Sequence, residues 1–285
     1  MPEPTGGASD VGLPNRMARA GTYLGLAVLA ALTLFPLLWM ASIALMSAPQ
    51  AADGTPPLWP QHPTLVNVVN VINQQHIGTY FFNSLVVATA TMVLSVLVAG
   101  SAGYALAHVG FRGRRLVSGL MVFGVLIPTQ ALVLPLFEMF REVHLVNHYA
   151  ALVLPVAANP LGILLVQAYM RGIPAEILDA ARIDGASEWR IFRSIAVPLM
   201  VPILAAVSVL VFVVSWNEFM WPMIAMQQEN MQTLPVALAA IDREHYQNIG
   251  LMAAAASITM LPMVLVFVAS QRYYLRSVIA GSLTG

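Results

Sequence analysis

Long apolar segments separated by short polar connections make up most of the chain. Six of these segments have no Asp, Glu, Lys, Arg or His in their interiors, and they are Gly21–Met46, Phe82–Ala107, Leu116–Leu136, Tyr149–Met170, Ala196–Trp216 and Gly250–Ser270. About 20 apolar residues in helical form are needed to cross the hydrocarbon core of a bilayer. We therefore predict an all-α, polytopic membrane protein with six transmembrane helices.

The composition supports lipid as the solvent of these segments. Hydrophobic residues make up 59% of the chain and charged residues only 9%, whereas soluble domains carry roughly 25% charged residues. The net charge is zero, so no basic field indicates nucleic-acid binding. The chain has no cysteine, which excludes disulfides, thiolate-ligated zinc and a thiol nucleophile. It also lacks a G-x-x-x-x-G-K-[ST] phosphate-binding loop, and we predict no catalytic residue, metal site or cofactor in this chain.

The arginines indicate the orientation. All 13 cationic side chains are arginines, and 11 of them lie in the two terminal segments and in the second-to-third and fourth-to-fifth connections. Cytoplasmic connections carry the excess of Lys and Arg in membrane proteins, so we predict cytoplasmic N and C termini. The resulting divisions are a tail over residues 1–20, a six-helix domain over 21–271 and a C-terminal tail over 272–285. The charged connection 171–195, between spans four and five, is expected on the cytoplasmic side.

That connection predicts two short helices joined by a sharp turn. Pro174 suits the start of a helix because its missing N–H is not needed there, and Asp179 lies early in the same helix. Gly185 can adopt the left-handed conformation that ends a helix, and Ser187 is suited to cap the next one. Trp189 lies three residues before Phe192, so the two side chains should share a face.

The residues of this turn also carry a resemblance. The sequence D-A-A-R-I-D-G-A-S-x-x-x-x-F resembles the "EAA" loop of permease subunits of binding-protein-dependent ABC importers, with Asp179 where Glu is usual. The matching positions are Asp179, Ala180, Ala181, Asp184, Gly185, Ala186, Phe192 and Pro198. The resemblance implies that this loop is a coupling helix docked into a cleft of an ATPase subunit. The alternative is an amphipathic loop helix that meets only its own protein.

Further motifs narrow the resemblance to the carbohydrate-importing branch of that family. They are W-N-E-F-x-W-P from Trp216, N-H-Y-A-A-L-V-L-P from Asn147 and the C-terminal Q-R-Y-Y-L-R-S-V-I-A-G-S-L-T-G. The branch implies a second homologous permease subunit, an ATPase dimer that binds ATP and magnesium, and an extracytoplasmic solute-binding protein. It also implies a bacterial inner-membrane location. Trp216 and Trp221 alternatively belong to an interfacial aromatic belt, and the outer loops either meet the binding protein or only cap the bundle.

Few polar side chains are available for a transport pathway. Gln130 and Asn159 lie within spans, whereas Asn217 and Glu218 lie at the end of the fifth. We take these four as candidate pathway residues, with helix–helix contacts as the alternative role of the two amides Gln130 and Asn159. Ion-coupled transporters commonly place carboxylates or histidines inside their spans, and this chain has none there.

The function expected from the sequence is that of a permease subunit in an ATP-driven ABC importer of a sugar or sugar-like solute. An importer of a non-sugar solute and an ion-coupled secondary transporter are the alternatives that remain. An intramembrane enzyme or assembly factor would need a reactive set of side chains in the bilayer, and the sequence shows none.

Overall fold

The computed structural model describes residues 16–52, 56–245 and 247–282, with side chains left undescribed for 16–18, 245 and 271–282. Within these residues the chain is helical and has no strand. The helices are α1 Arg16–Ala44, α2 Ala48–Ala51, α3 Val66–Asn73, α4 Ile77–His108, α5 Arg114–Leu126, α6 Thr129–Glu142, α7 Tyr149–Ala157, α8 Pro160–Arg171, α9 Ala175–Ile183, α10 Glu188–Ile191, α11 Val197–Trp216, α12 Met220–Ala225, α13 Leu234–His245 and α14 Ile249–Ser282. A π-helix, Phe192–Ala196, joins α10 to α11, and a 3-10 turn, Glu229–Met231, precedes α13.

The long helices agree with the predicted membrane spans in type, and they agree in number if one bent pair of helices counts as a span. Five helical stretches are long and apolar enough to cross a bilayer, and they are Arg19–Ala44, Ile77–His108, Tyr149–Arg171, Glu188–Trp216 and Ile249–Ser270. Counting α5 and α6 together as one broken span gives up to six. The all-helical membrane fold is therefore confirmed, while the predicted orientation stays a prediction at this stage.

The third predicted span, Leu116–Leu136, is not one helix. The chain bends by 104° between α5 and α6. Pro128 has no N–H to donate and disfavours helical geometry at the residue before it, and Ile127 is accordingly extended, with φ −77° and ψ 120°. The second half then continues to Glu142, beyond the predicted end at Leu136.

The terminal helices extend into both predicted tails, and the division between the tails and the membrane domain stays a prediction. Residues 1–15 and 283–285 lie outside the described residues. The helix α1 already begins at Arg16, within the predicted tail 1–20. The helix α14 continues to Ser282, through most of the predicted tail 272–285.

Carbonyl groups released by prolines find partners on neighbouring helices. Pro155 cannot bond the carbonyl of Ala151, four residues earlier, and that oxygen accepts a hydrogen bond from the Trp221 indole at 2.9 Å. Pro160 releases the carbonyl of Val156 in the same way, and Ser95 donates its hydroxyl to it at 2.8 Å. Prolines are tolerated at membrane depth where such partners satisfy the backbone.

Helix α4 is the centre of the packing, and it lies mainly against α8 and α11. Gly103 allows the closest approach, because a Cβ atom there would lie 2.6 Å from the Cβ of Val166 on α8. Gly162 on α8 similarly faces Val207 of α11, at 3.2 Å from its own would-be Cβ. Small residues at such contacts let helix backbones pack closely in membranes.

A hydrophobic core of buried side chains lies around α1, α3, α13 and α14. The side-chain amide of Asn67 on α3 donates to the carbonyl oxygens of Ala44 and Met46 at 3.1 and 2.7 Å, which ends α1. Trp216 also belongs to this core: it is 1% exposed and donates to the carbonyl of Thr259 at 3.2 Å. The interpretation of Trp216 as part of an interfacial belt is therefore wrong, because its ring packs between helices of its own chain.

Candidate functional site

The predicted helix–turn–helix is present, and we call its residues 175–191 the knob. Helix α9 ends at Ile183 with Asp184 as its C-cap, and Gly185 follows with φ +79°. The amide of Ala186 donates to the carbonyl of Ala181 at 3.0 Å and the amide of Gly185 donates to that of Arg182 at 3.0 Å. These two hydrogen bonds form the Schellman motif that closes a helix with a left-handed residue.

The second helix of the knob has the cap that the sequence indicates. The Ser187 hydroxyl accepts a hydrogen bond from the amide of Arg190 at 3.4 Å. The rings of Trp189 and Phe192 lie on one side, with centroids 5.6 Å apart. The predicted local conformation of the turn is thus present at its three key positions, which are Gly185, Ser187 and the Trp189–Phe192 pair.

An ionic network crosses the turn. Arg182 donates to Asp179 at 2.6 Å and to the two carboxylate oxygens of Glu188 at 2.7 and 3.4 Å. These hydrogen bonds, chiefly those to Glu188, raise the pKa of the Arg182 guanidinium above its ordinary value, so it stays charged. The network ties the last turn of α9 to the first turn of α10, and Asp179 already has a cationic partner within its own chain.

Tyr104 of α4 extends this network into the bundle. Its hydroxyl donates to Glu188 at 2.9 Å, and its ring lies 5.3 Å from that of Phe192. Tyr104 is 4% exposed. A side chain of the second span therefore holds the knob, which the chain itself connects only to the fourth and fifth spans.

The knob has one buried face and one exposed apolar face. Leu178 and Ile191 are 0% exposed and join the core between α4, α8 and α11. Ile183 is 87% exposed and Trp189 is 68% exposed. Exposed apolar side chains beside fixed charges are the pattern of a protein contact surface. The remaining predicted docking positions Ala180, Asp184 and Gly185 are also exposed, whereas Ala181, Ala186 and Phe192 are partly buried.

A cavity of about 160 Å³ brings two of the four candidate pathway residues together. Gln130 and Glu218 both contribute to its wall, together with Thr129 and Trp221. Its remaining lining is largely apolar and comes from α4, α6, α7, α11 and α12. Glu218 also accepts a hydrogen bond from the amide of Trp221 at 3.2 Å, which fixes one carboxylate oxygen.

The other two candidates lie elsewhere and serve the backbone. The Asn159 side chain caps α8 by accepting from the amide of Gly162 at 3.1 Å. The Asn217 side chain donates to the carbonyl of Val213 at 2.8 Å at the end of α11. Neither residue lines the cavity that holds Gln130 and Glu218.

The hydrogen bonds of three residues that matter here were not predicted from the sequence. Tyr104 and Ser95 lie in an apolar helix and give no local signal, although a hydroxyl in a span needs a partner somewhere. Trp221 gives a clearer sequence signal. Each proline in a helix releases the carbonyl four residues earlier, and an indole N–H is a suitable donor to such a carbonyl. In the described part of the chain, no group of three or more His, Asp or Glu side chains could hold a metal ion.

Comparison with known families identifies the chain. The model of the family described as "binding-protein-dependent transport system inner membrane component" matches residues 92–280, which include the whole knob and every residue of the cavity wall except Val87. The chain belongs to this family. The resemblance seen in the sequence is confirmed, and the protein is a multi-pass permease subunit of the inner membrane.

Several of its relatives are permeases of sugar transport systems. The chain is 34% identical to the arabinooligosaccharides transport system permease protein AraQ of Halalkalibacterium halodurans, over 92% of this chain and 95% of the relative. It is 31% identical to the trehalose/maltose transport system permease protein MalG of Thermococcus litoralis, over 92% of this chain and 95% of the relative. The alternative of an ion-coupled secondary transporter finds no support among these relatives.

A solved structure has the same fold. It is a chain of a bacterial ABC transporter involved in the import of the acidic polysaccharide alginate, with a TM-score of 0.78 and 24% identity. The similarity covers 95% of this permease and all of that chain. The bent third span and the knob therefore belong to a fold that is found in an ABC importer.

Proposed function

We propose that this permease forms half of the pore of an ATP-driven importer for a neutral saccharide. The observation that carries the proposal is the knob, a rigid helix–turn–helix with an exposed apolar tip on a chain that has no phosphate-binding loop. Such a chain must receive its energy from a partner that binds ATP and magnesium. Its sugar-transporting relatives support the class of solute, and a non-sugar solute is the alternative that the test must address.

The knob is the docking site for the ATPase subunit. Its tip carries Ile183 and Trp189, which are exposed in this chain and suited to an apolar cleft. Arg182 forms ion pairs with Asp179 and Glu188 of its own chain. These charged side chains therefore stabilise the conformation of the knob, and the apolar tip contacts the ATPase. The arginine distribution supports a cytoplasmic position for the knob and for both termini.

A second, homologous permease covers the exposed side of the third span. No side chain of α5 is buried in this chain, and Phe140 is the one buried residue of α6. The cavity beside α6, with Gln130 and Glu218 in its wall, then becomes part of a pathway between the two permeases. An extracytoplasmic binding protein delivers the solute to the opposite end from the knob.

Cysteine labelling tests the orientation and the docking, because the natural chain has no cysteine. Ile183→Cys on the knob and Gln228→Cys at the other end give one reporter each. In intact cells a membrane-impermeant maleimide should label Gln228→Cys, and it should label Ile183→Cys only after permeabilisation. A short thiol crosslinker should join Ile183→Cys, and not Gln228→Cys, to the ATPase. Labelling of Ile183→Cys from outside would overturn the proposal.

Transport assays test the solute. The permease with its partner permease, ATPase and binding protein is reconstituted in proteoliposomes that contain ATP. Uptake of a neutral oligosaccharide should require ATP and should survive an ionophore. Uptake that continues without ATP, or that is limited to amino acids or other non-sugar solutes, would contradict the proposed function.

A further inference from the structure

Helix α4 holds the knob at one of its ends. Tyr104 donates a hydrogen bond to Glu188 at 2.9 Å, and its ring packs on Phe192. Glu188 in turn accepts hydrogen bonds from Nε and Nη2 of the Arg182 guanidinium. One buried side chain of α4 thus contacts both the ionic network of the knob and the start of the π-helix.

The other end of α4 holds the loop between α12 and α13, residues 226–233, which we call the far loop. The side-chain amide of Asn83 donates to the carbonyls of Asn230 and Gln232 at 2.9 and 2.8 Å. The hydroxyl of Ser84 accepts from the amide of Leu234 at 2.7 Å. Asn83 is 2% exposed and also accepts from the Tyr149 hydroxyl at 2.6 Å. The far loop has exposed polar residues at its tip, Gln227 to Asn230.

These two attachment points lie on one unbroken helix. The 21 residues from Asn83 to Tyr104 correspond to about 32 Å along a helix axis, close to the thickness of a bilayer core. Among the described helices of span length, α4 is the one with no proline in its sequence. The two spans that adjoin the knob in sequence are less regular than α4. The fifth span begins with the π-helix, and the fourth span has a break before Pro160.

The geometry points to α4 as a rigid strut that fixes the far loop relative to the knob, with Tyr104 and Asn83 as its positioning residues. Rigid elements of this kind carry movement between distant sites when both sites are attached to them. This inference rests on the proposed function: movement imposed on the knob by the ATPase reaches the loop that faces the binding protein. In the other direction, a docked binding protein signals to the ATPase by the same route.

Conservative variants test the two attachments in the complete complex. Tyr104→Phe removes one hydroxyl and keeps the ring contact, and Asn83→Asp keeps the acceptor for Tyr149 but loses the donor amide. Each variant should reduce the stimulation of ATP hydrolysis by the solute-loaded binding protein at least threefold. Basal hydrolysis and recovery of the ATPase with the complex should not change, since the docking tip is intact. Tyr169→Phe, on the exposed side of α8, serves as the matched control and should behave as wild type.

The combination of variants separates positioning from simple loss of stability. If both residues act through one strut, Tyr104→Phe together with Asn83→Asp should lower the stimulation about as much as either change alone. Full stimulation in both single variants overturns the inference, and so does an equal loss of basal and stimulated hydrolysis. A wild-type complex that shows no stimulation by any binding protein contradicts the proposed function itself, and the inference falls with it.

A distance measurement tests rigidity directly. Spin labels at Glu176→Cys on the knob and Gln228→Cys on the far loop are unique in this cysteine-free chain. Their distance distribution in the complex should have the same maximum without nucleotide and with ATP trapped, and it should broaden in Tyr104→Phe. A shift of the maximum by more than about one helical turn, 5 Å, between the two wild-type states would refute a rigid strut.

Discussion

At the scale of single residues, two carbonyl groups released by prolines of the fourth span each have a specific side-chain donor. Ser95 serves the carbonyl of Val156, and the Trp221 indole serves that of Ala151. An unpaired carbonyl in a medium without water costs the desolvation of that group. The two kinked segments of the fourth span are therefore held in place by side chains from the second span and from α12.

The first prediction concerns Ser95. Ser95→Ala removes the donor to Val156 and should lower the free energy of unfolding of the complex by about 1 kcal/mol, the usual size of such hydrogen bonds within membranes. Thermal unfolding in detergent measures the change. Ser101→Ala is the control, because the exposed Ser101 only donates to the carbonyls of its own helix. Equal melting temperatures for the two variants would show that the Ser95 hydrogen bond contributes nothing.

The second prediction concerns Gly185. Its φ of +79° is unfavourable for any residue with a Cβ, and a left-handed residue other than glycine costs about 1–2 kcal/mol. Gly185→Val should therefore distort the knob and reduce ATP-driven uptake at least tenfold, while the protein remains in the membrane. Gly110→Val is the control, since that glycine has open space around it and no positive φ. Normal uptake by Gly185→Val would exclude a docking role for the turn.

Residue patterns predicted the knob well and the buried contacts poorly. Gly185 and Ser187 act on their own neighbours, so their roles follow from local sequence. Tyr104 meets Glu188 from 84 residues away along the chain, and only the packing of α4 brings the two together. Asn159 and Asn217 were assigned to the pathway because they are polar, but local backbone groups use both side chains first.

At the scale of elements, the third span shows how far hydrophobicity can predict a helix. The hydrophobic pattern of this segment has enough apolar residues to cross a bilayer, but it contains no information on the direction of the helix axis. Pro128 and the extended Ile127 turn the chain by 104°. The bent pair also packs on the rest of the chain, as in the contact between α6 and α12, and such tertiary contacts are not visible in a hydrophobic pattern.

The third prediction concerns the contact between α4 and α8. A Cβ at Gly103 would lie 2.6 Å from the Cβ of Val166, so Gly103→Ala should push the helices apart and destabilise the complex by about 1–3 kcal/mol. Gly100→Ala is one turn away and meets only the flexible end of Leu204 at 3.5 Å. It should be neutral or slightly stabilising, because alanine favours a helix over glycine. Similar unfolding temperatures for both variants would mean that α4 and α8 have room to adjust.

At the scale of the whole molecule, much of the apolar surface of the chain is not covered by the chain itself. Every side chain from Arg19 to Pro36 on α1 is exposed, and α5 buries none of its own. Apolar faces of this extent are covered in the membrane by lipid or, in the proposed assembly, by the second permease. The knob, the cavity and the far loop are the parts that this chain organises internally, and each is attached to α4 or lies beside it.

The last prediction concerns the charge in the cavity. Glu218 is the one ionisable side chain in the cavity wall, so an acidic solute would enter against a like charge. At an effective dielectric of about 20, two like charges about 8 Å apart repel by about 2 kcal/mol, more than tenfold in binding. Glu218→Gln should therefore let an acidic oligosaccharide compete about tenfold better against uptake of a neutral one, with the uptake of the neutral sugar nearly unchanged. Glu138→Gln, which removes an exposed carboxylate paired with Arg141 outside the cavity, should leave this competition as in wild type. If neither variant changes the preference, the choice between neutral and acidic solutes is made elsewhere, in the second permease or the binding protein.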